Sequence, residues 1–244
     1  MLKNNLNVII IAVAVVISSY LFSNAFQNRN KSNDTISVTG SGKKDFVSDL
    51  IVWSGSFSKK SMTLKEAYAA LDSDREKIKS YLSSKGIAPK EMVFSAVNFN
   101  KDFETTYNEN GTTRQQIFTG FNLTQSVSIQ SKEVNKIEEL SRQSSELINS
   151  GVEFYSSPPE YYYTKLAELK IKMIAEATKD ASIRAKSIAK NADASLGNLK
   201  KSDMGVFQIV GQNSSEDFSY GGSFNTQYKN KTANITVRLV YQVN

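Results

Sequence analysis

The stretch EATKDASIRAKSIAKNADASLGNLK, residues 176–200, holds two patterns on which the interpretation of the fold depends. The first is a stripe of alanines four residues apart: Ala177, Ala181 and Ala185. The second is a polar side of mixed sign, where Arg184 and Lys186 accompany Asp180. Mixed charge is typical of a solvated helix face and argues against a phosphate-binding track. The alanines indicate close packing, because small side chains let a helix backbone lie against a sheet or another helix.

The alanine stripe belongs to a longer pattern that predicts a helix from about Glu160 to Ala192. Its apolar positions step by three or four residues: Leu166, Leu169, Met173, Ala177, Ala181, Ala185, Ile188 and Ala192. Three tyrosines, Tyr161, Tyr162 and Tyr163, fall at its start, and three consecutive residues cannot share one helix face. We therefore interpret them as core packing or a subunit contact, in preference to a ligand-stacking site.

Two shorter helices precede the long one. In the first, Thr63 and Glu66 form a capping box, Gly86 occupies the position of a left-handed C′ residue, and Pro89 prevents continuation. Its apolar face holds Leu64, Ala67, Leu71, Ile78 and Leu82. The second helix stops at Gly151, and its inward positions are Val134, Ile137, Leu147 and Ile148.

The remaining segments have the pattern of β-strands. Their apolar positions are Ile36 and Val38; Ile51, Trp53 and Phe57; Val93, Val97 and Phe99; Ile117, Phe121, Leu123, Val127 and Ile129; Val152 and Phe154; residues 206–210; and Ile235, Val237, Leu239, Tyr241 and Val243. Asn110-Gly111 is a turn signal. The order ββαββ, αβα, ββ predicts an α+β fold with largely antiparallel sheets and about three packed helices. We expect one domain at 35–244, with a Gly/Ser/Asn-rich hairpin or loop at 211–231.

The first segment sets the location of the protein. An uncharged apolar run at 6–22 has a length between that of a signal peptide and that of a membrane span, and a polar tether at 26–34 follows. Small residues at Ser23 and Ala25 fit cleavage after Ala25, so residues 1–25 are either a signal peptide or a retained anchor. We favour an anchor in the inner membrane of a bacterium, in contact with its lipid, with the domain in the periplasm; cleavage would give a periplasmic protein.

The composition excludes several classes of enzyme. The chain has neither cysteine nor histidine, so disulfides, His-dependent triads and His/Cys zinc sites are excluded. A net charge of +6 is too small to predict a nucleic-acid partner. Ser-x-x-Lys recurs at chance level without the partner motifs of that enzyme class: Ser41/Lys44, Ser56/Lys59 and Ser187/Lys190. Two carboxylate pairs are interpreted as solvated helix faces: Asp72/Asp74 and Glu138/Glu139.

Six segments together resemble the SIMPL-domain family. The first is ATKDASIRAKSIAKNADASLGNL at 177–199, which is similar to the family's alanine-rich signature. The others, in chain order, are ISVTGSG (36–42), SSKGIAPKEMVFSAVNF (83–99), IFTGFNLTQSVSIQ (117–130), SGVEF (150–154) and ITVRLVYQV (235–243). The similarity covers about residues 35–244. Two departures are Phe121, where tyrosine is usual, and Ala194-Ser195, which replaces a common glycine.

The resemblance implies a membrane-anchored or periplasmic protein without established enzymatic activity. Some members of that family form large ring- or barrel-shaped homo-oligomers, and some are linked to oxidative-stress defence. The family has no catalytic residues to transfer to this chain. We therefore predict no enzyme activity, and no catalytic, cofactor-binding or metal-binding residues.

The leading hypothesis is a non-enzymatic envelope protein that forms a homo-oligomer, with its other protein partners unknown. One alternative is an adaptor that binds an envelope protein or a cell-wall polymer through residues 211–231. A second alternative is an enzyme that uses serine and lysine, or carboxylates.

Overall fold

A computed structural model of the protein describes residues 2–31, 34–107, 111 and 114–243, and within the first helix it describes the side chains of residues 9–26. In these residues the chain forms four α-helices: α1 (Leu2–Lys31), α2 (Leu64–Ser84), α3 (Val134–Gln143) and α4 (Leu166–Asn191). The strands are β1 (Thr35–Val47), β2 (Leu50–Ser61), β3 (Met92–Phe94), β4 (Asn98–Tyr107), β5 (Arg114–Ser131), β6 (Phe154–Ser156), β7 (Glu160–Tyr162), β8 (Leu196–Met204), β9 (Gln208–Gly211), β10 (Ser223–Phe224) and β11 (Asn230–Val243). The predicted α+β class is confirmed.

The strands form two sheets. In the first, β11 lies between β1 on one side and β8 and β9 on the other, with β10 beyond β9. In the second, β5 and β2 are central; β3 and β4 pair with the outer edge of β5, and β6 and β7 with the outer edge of β2. The pairings are antiparallel except for that of β10 with β9.

Each sheet has its own hydrophobic core. The long helix α4 packs on the first sheet, against β1 and β11. Helices α2 and α3 pack on the second sheet, where Trp53 and Phe57 are among the largest buried side chains. The residues predicted to form one domain therefore contain two cores, and the chain passes between them at the β1–β2 connection, Ser48 and Asp49, and again between β7 and α4.

The helix ends follow the local signals. Gly86 has a φ of +80°; its N–H donates to the Ser83 carbonyl at 2.9 Å, and the N–H of Ile87 donates to the Leu82 carbonyl at 3.0 Å. This pair of bonds is a Schellman motif, in which glycine avoids the strain of the left-handed conformation. Gly151, with a φ of +74°, ends the turn after α3 in the same way.

The predicted capping box forms in part. The Thr63 hydroxyl accepts a hydrogen bond from the N–H of Glu66 at 3.3 Å, as predicted. The Glu66 carboxylate, however, accepts from the Ser61 hydroxyl at 2.7 Å. The cap is therefore built with the last residue of β2.

Several predicted boundaries and faces were wrong. The long helix begins at Leu166, because Glu160–Tyr162 pairs with β2 as strand β7. On α4 the buried stripe ends at Ala189, and Ile188 is 48% exposed. Leu64 at the start of α2 lies on the surface. The second predicted helix ends at Gln143, and Ile148 lies exposed in the 3-10 turn between Ser144 and Ser150. Strand β8 was not predicted, since it is an exposed edge strand without alternating hydrophobicity.

Other predictions lie at the limits of the described residues. Asn110 of the predicted turn is outside them, whereas Gly111 has a φ of +66°. Residues 211–231 connect two antiparallel neighbours, β9 and β11, and include β10. The proposed tether at 26–34 is largely helical, because α1 continues to Lys31.

The N-terminal helix has the composition of a membrane segment. Its window Ile9–Phe26 has a mean hydropathy of 2.1, and none of those 18 residues is buried. A helix of this kind near the chain start fits a signal anchor or a signal peptide.

Candidate interaction surface

The three Ser-x-x-Lys pairs do not assemble a catalytic dyad. They are Ser41/Lys44 on β1, Ser56/Lys59 on β2 and Ser187/Lys190 on α4. Side chains three residues apart on a strand point to opposite faces of the sheet, which separates the first two pairs. The third pair lies on the exposed surface of α4, where the serine contacts the Asn191 amide.

The carboxylate pairs divide between the surface and the packed layers, so their interpretation as solvated faces was wrong in part. Asp74 is 2% exposed, and its carboxylate pairs with Lys59 at 3.0 Å and with Lys77 at 3.3 Å. It ties α2 to β2, because Lys59 belongs to that strand. The neighbouring Asp72 is partly exposed and pairs with Arg75 on its own helix.

The most unusual surface is one face of the β4–β5 hairpin. Phe99 lies opposite Leu123, and Phe103 lies opposite Phe118 across a bulge. The aromatic rings on this face contact one another: the ring centroids of Phe103 and Phe118 are 5.7 Å apart, and those of Phe118 and Phe121 are 5.2 Å apart. We call this row the hairpin face: Phe99, Phe103, Tyr107, Phe118 and Phe121.

The hairpin face is the uncovered continuation of a core face. Leu123 is 2% exposed and belongs to the second core, but the helix layer stops where α2 begins at Leu64. Beyond that point the sheet goes on without a cover. Phe99, Phe103 and Tyr107 are consequently 56%, 51% and 64% exposed.

An apolar groove lies at the boundary between the covered and uncovered parts. It has a volume of about 550 Å³ and runs between the first turns of α2 and strands β4 and β5. Its lining is Leu64, Lys65, Tyr68, Val97, Phe99 and Leu123. Exposed apolar patches of this kind mark sites of interaction in soluble proteins.

Sequence reasoning missed the hairpin face because it assigned Val93, Val97 and Phe99 to one strand, whereas β3 ends at Phe94 and Phe99 belongs to β4, which continues to Tyr107. The signal was present, since Phe99, Phe103 and Tyr107 share the same parity along the chain. Polar residues between them hid it: Asn100, Lys101, Asp102, Glu104, Thr105 and Thr106.

In the first sheet, the glycines of ISVTGSG meet the alanine stripe. A Cβ built at Gly40 would lie 2.2 Å from the Ala177 carbonyl oxygen and 2.3 Å from the Ala181 nitrogen. A Cβ at Gly42 would lie 2.7 Å from the Met173 carbonyl oxygen. The glycines of ISVTGSG and the alanine stripe, about 140 residues apart in the chain, thus form one close contact between the backbones of β1 and α4. Asp180 adds a bond from α4, accepting from the Ser41 N–H at 2.9 Å.

A family model described as SIMPL, a protein of unknown function (DUF541), matches residues 36–241. The chain belongs to the SIMPL family. The resemblance predicted from the sequence is therefore confirmed over most of the chain. A search among curated proteins finds no match.

In this SIMPL chain a buried lysine lies between the two sheets. Lys231 on β11 is 1% exposed, its ammonium donates to the Tyr161 carbonyl of β7, and it lies 5.6 Å from the centroid of the Phe224 ring. Burial lowers the pKa of Lys231 to about 8, opposed by the negative charge of Glu216. A lysine with a lowered pKa is a candidate nucleophile. Here burial denies a substrate access, so we interpret Lys231 as a contact between the sheets.

Further polar contacts join the SIMPL sheets around Lys231. The Tyr161 N–H donates to the Thr226 carbonyl at 2.7 Å, and the Lys229 ammonium lies 2.8 Å from the Glu138 carboxylate. The bond from Lys229 holds the pKa of Glu138 below its ordinary value, although burial acts in the opposite direction. The long β9–β11 connection is therefore fastened to both sheets.

Proposed function

We propose that this protein is a non-enzymatic, membrane-anchored or exported SIMPL protein that self-associates through the hairpin face. The observation that carries the proposal is a sheet whose inner face continues, aromatic and uncovered, past its helix layer. A second copy of the chain is the proposed cover. The absence of histidine and cysteine, and the separation of the serine–lysine pairs, support a role without catalysis.

The hairpin face is suited to contact the hairpin face of a second copy of the chain. Each buried aromatic side chain removes roughly 150–250 Å² from water, so mutual burial of three exposed rings from each copy is a strong driving force. Strand β4 also has a free edge, since it pairs with β5 alone among the described strands. Free edges present unpaired N–H and C=O groups that a second strand can satisfy. A twofold arrangement would let both copies use the same surface.

The N-terminal helix would assist this association if it is retained. A shared membrane confines the tethered domains to one layer, which raises their effective concentration. A role in the cell envelope follows from this proposal. A link to oxidative-stress defence stays a prediction from the family resemblance.

The test measures molar mass by light scattering after size-exclusion chromatography, for the full chain in an uncharged detergent and for residues 34–244. We expect a concentration-dependent oligomer that the double substitution Phe103→Ser, Tyr107→Ser converts to a monomer. The matched control is Ile171→Ser, at a position on α4 that is 70% exposed. A wild-type protein that stays monomeric at every concentration would refute self-association, and an oligomer unaffected by the double substitution would refute this surface.

A second candidate function is favoured by the exposed aromatic rings of the 211–231 segment. Tyr220 is fully exposed and Phe218 is 64% exposed, beside a cavity of about 260 Å³. An adaptor that binds a cell-wall polymer would use such rings. Deletion of the segment is a poor test, because the Gln208 side chain bonds to Ser219 and Ser223 inside it. Substitution of Phe218 and Tyr220 by serine should instead abolish co-sedimentation with purified peptidoglycan.

A further inference from the structure

We infer that a small oxyanion of the phosphate class binds in the cleft at the N-terminus of α3. The cleft has a volume of about 640 Å³ and lies between the β1–β2 connection and the start of α3. The residues that carry the argument are Ser48, Lys132 and the first turn of α3. This site is independent of the hairpin face.

The first observation is a helix start without a cap. Glu133 occupies the N-cap position of α3, but its side chain makes no capping hydrogen bond. Its carboxylate pairs instead with Lys136 at 3.1 Å. The first turn of α3 contains no acidic residue. The N–H groups of a helix start, and the positive end of its dipole, favour an anion.

The second observation is a buried hydroxyl without a partner. Ser48 is 4% exposed and lines the same cleft, and its Oγ has no hydrogen-bond partner. A buried polar group without a partner has lost its hydrogen bonds to water, so native proteins rarely leave one unpaired without a water or a ligand. The backbone of Ser48 is satisfied, since its N–H donates to the Lys229 carbonyl at 2.9 Å. The hydroxyl is therefore the polar group of Ser48 that has no hydrogen-bond partner.

The third observation is the charge around the cleft. Three lysines line it, Lys132, Lys136 and Lys229. Lys136 pairs with Glu133 at 3.1 Å and Lys229 pairs with Glu138 at 2.8 Å, whereas Lys132 makes no ion pair among the described residues. The Asp49 carboxylate is occupied, because it accepts two hydrogen bonds from Thr164 at 2.7 Å each. Burial raises the pKa of Asp49, but the bonds from Thr164, together with its own N–H and the charge of Lys132, lower that pKa overall.

Charge and geometry together select the class of ligand. Lys132 supplies a positive charge on the lining without a close ion pair among the described residues, and the positive end of the α3 dipole adds to it. A tetrahedral oxyanion can accept from a hydroxyl, from backbone N–H groups and from ammonium groups at the same time. Free phosphate and the phosphate of a lipid headgroup share this chemistry.

The test titrates the full chain, in an uncharged detergent, with inorganic phosphate against chloride at equal ionic strength, by calorimetry and thermal unfolding. Ser48→Ala is the sharpest variant, since it removes only a hydroxyl that bonds to nothing in the folded protein. We expect it to weaken phosphate binding by about tenfold, the usual effect of losing a hydrogen bond to a charged group. Lys132→Gln should weaken binding as well, whereas Lys179→Gln, an equal change of charge on an exposed part of α4, should not.

A second arm identifies the source of the phosphate. Short-chain phosphatidylglycerol replaces inorganic phosphate, with phosphatidylcholine of the same length as the control. Binding of phosphatidylglycerol that Ser48→Ala weakens indicates a lipid headgroup, and binding of inorganic phosphate alone indicates the free anion. The inference is overturned if neither ligand binds, or if Ser48→Ala binds phosphate as tightly as the wild type.

Discussion

Gly40→Ala should destabilise the first sheet strongly, although alanine is normally tolerated in a strand. Gly40 does not have a positive φ, so alanine could adopt its backbone conformation without strain. In an open strand the substitution would raise the free energy of unfolding by about 0.5 kcal/mol, because alanine restricts the unfolded chain more than glycine does. Here the new Cβ would lie 2.2 Å from the Ala177 oxygen and 2.3 Å from the Ala181 nitrogen. Ordinary van der Waals contacts of a carbon atom begin at about 3.5 Å, so strand and helix must separate by about 1 Å.

The cost of that separation can be estimated. Ala177 and Ala181 are both fully buried, and overpacking a core of this kind costs about 1–3 kcal/mol. Because the clashing atoms belong to two backbones, no side chain can rotate away, and we expect a net loss of about 2–3 kcal/mol. That corresponds to a fall of roughly 5–10 °C in the midpoint of thermal unfolding. Removing the Ala181 side chain should not rescue the variant, since the obstacle is backbone.

The assay is urea and thermal unfolding of residues 34–244, followed by circular dichroism and by tryptophan fluorescence. Trp53 is the single tryptophan and lies in the second core, so its fluorescence reports whether the two cores unfold together. Gly42→Ala should cost less, because its nearest contact is 2.7 Å, and the exposed Ser41→Ala is the control. A Gly40→Ala variant as stable as the wild type would refute the close-packing account.

Three further predictions concern charged side chains that are buried or partly buried. Lys231→Met should raise the free energy of unfolding at pH 7 by about 2 kcal/mol, because a pKa of about 8 in the fold means that burial disfavours the charged lysine. Between pH 8 and 10.5 the lysine keeps its proton in the unfolded chain but not in the fold, so the free energy of unfolding of the wild type rises with pH. The stability difference between Lys231→Met and the wild type, measured by urea unfolding, should therefore shrink over this range. A difference that does not change with pH would contradict a lowered pKa of Lys231 as the cause. Asp74→Ala should cost about 2 kcal/mol in thermal unfolding and Asp72→Ala under about 0.5 kcal/mol, since only the first carboxylate is buried; equal losses would contradict this. Lys229→Met should flatten the acid side of the stability curve, because the lowered pKa of Glu138 stabilises the fold above about pH 4.5 and that contribution is lost below it; identical acid curves would speak against the ion pair.

Local signals were sufficient for some features. Gly86 and Gly151 end helices because the left-handed conformation at those positions needs no partner elsewhere in the chain. The apolar window of α1 is equally local, since length and composition alone make it a candidate membrane segment. The α+β class and the family follow from the same kind of pattern, read over the whole chain.

Other features depend on which segments meet. Tyr161 lies in a strand because β2 offers it a free edge, although its sequence continues the periodicity of α4. The hairpin face is exposed because α2 begins at Leu64, which no property of Phe103 itself reveals. Lys231 and Ser48 look like ordinary surface residues in the sequence, yet both are buried in the fold. The ammonium of Lys231 contacts the Tyr161 carbonyl, 70 positions away in the chain, and the Phe224 ring.

The contact between Gly40 and Ala181 separates what the sequence determines from what the tertiary structure decides. The sequence contains both small residues and their periodicity, and so it determines that two close-packing surfaces exist and which family the chain belongs to. That those surfaces fit one another, and that the second sheet keeps an uncovered aromatic face, is settled by long-range strand pairing. The physical reason is that backbone conformation depends on near neighbours, whereas burial depends on residues about 140 positions away in the chain.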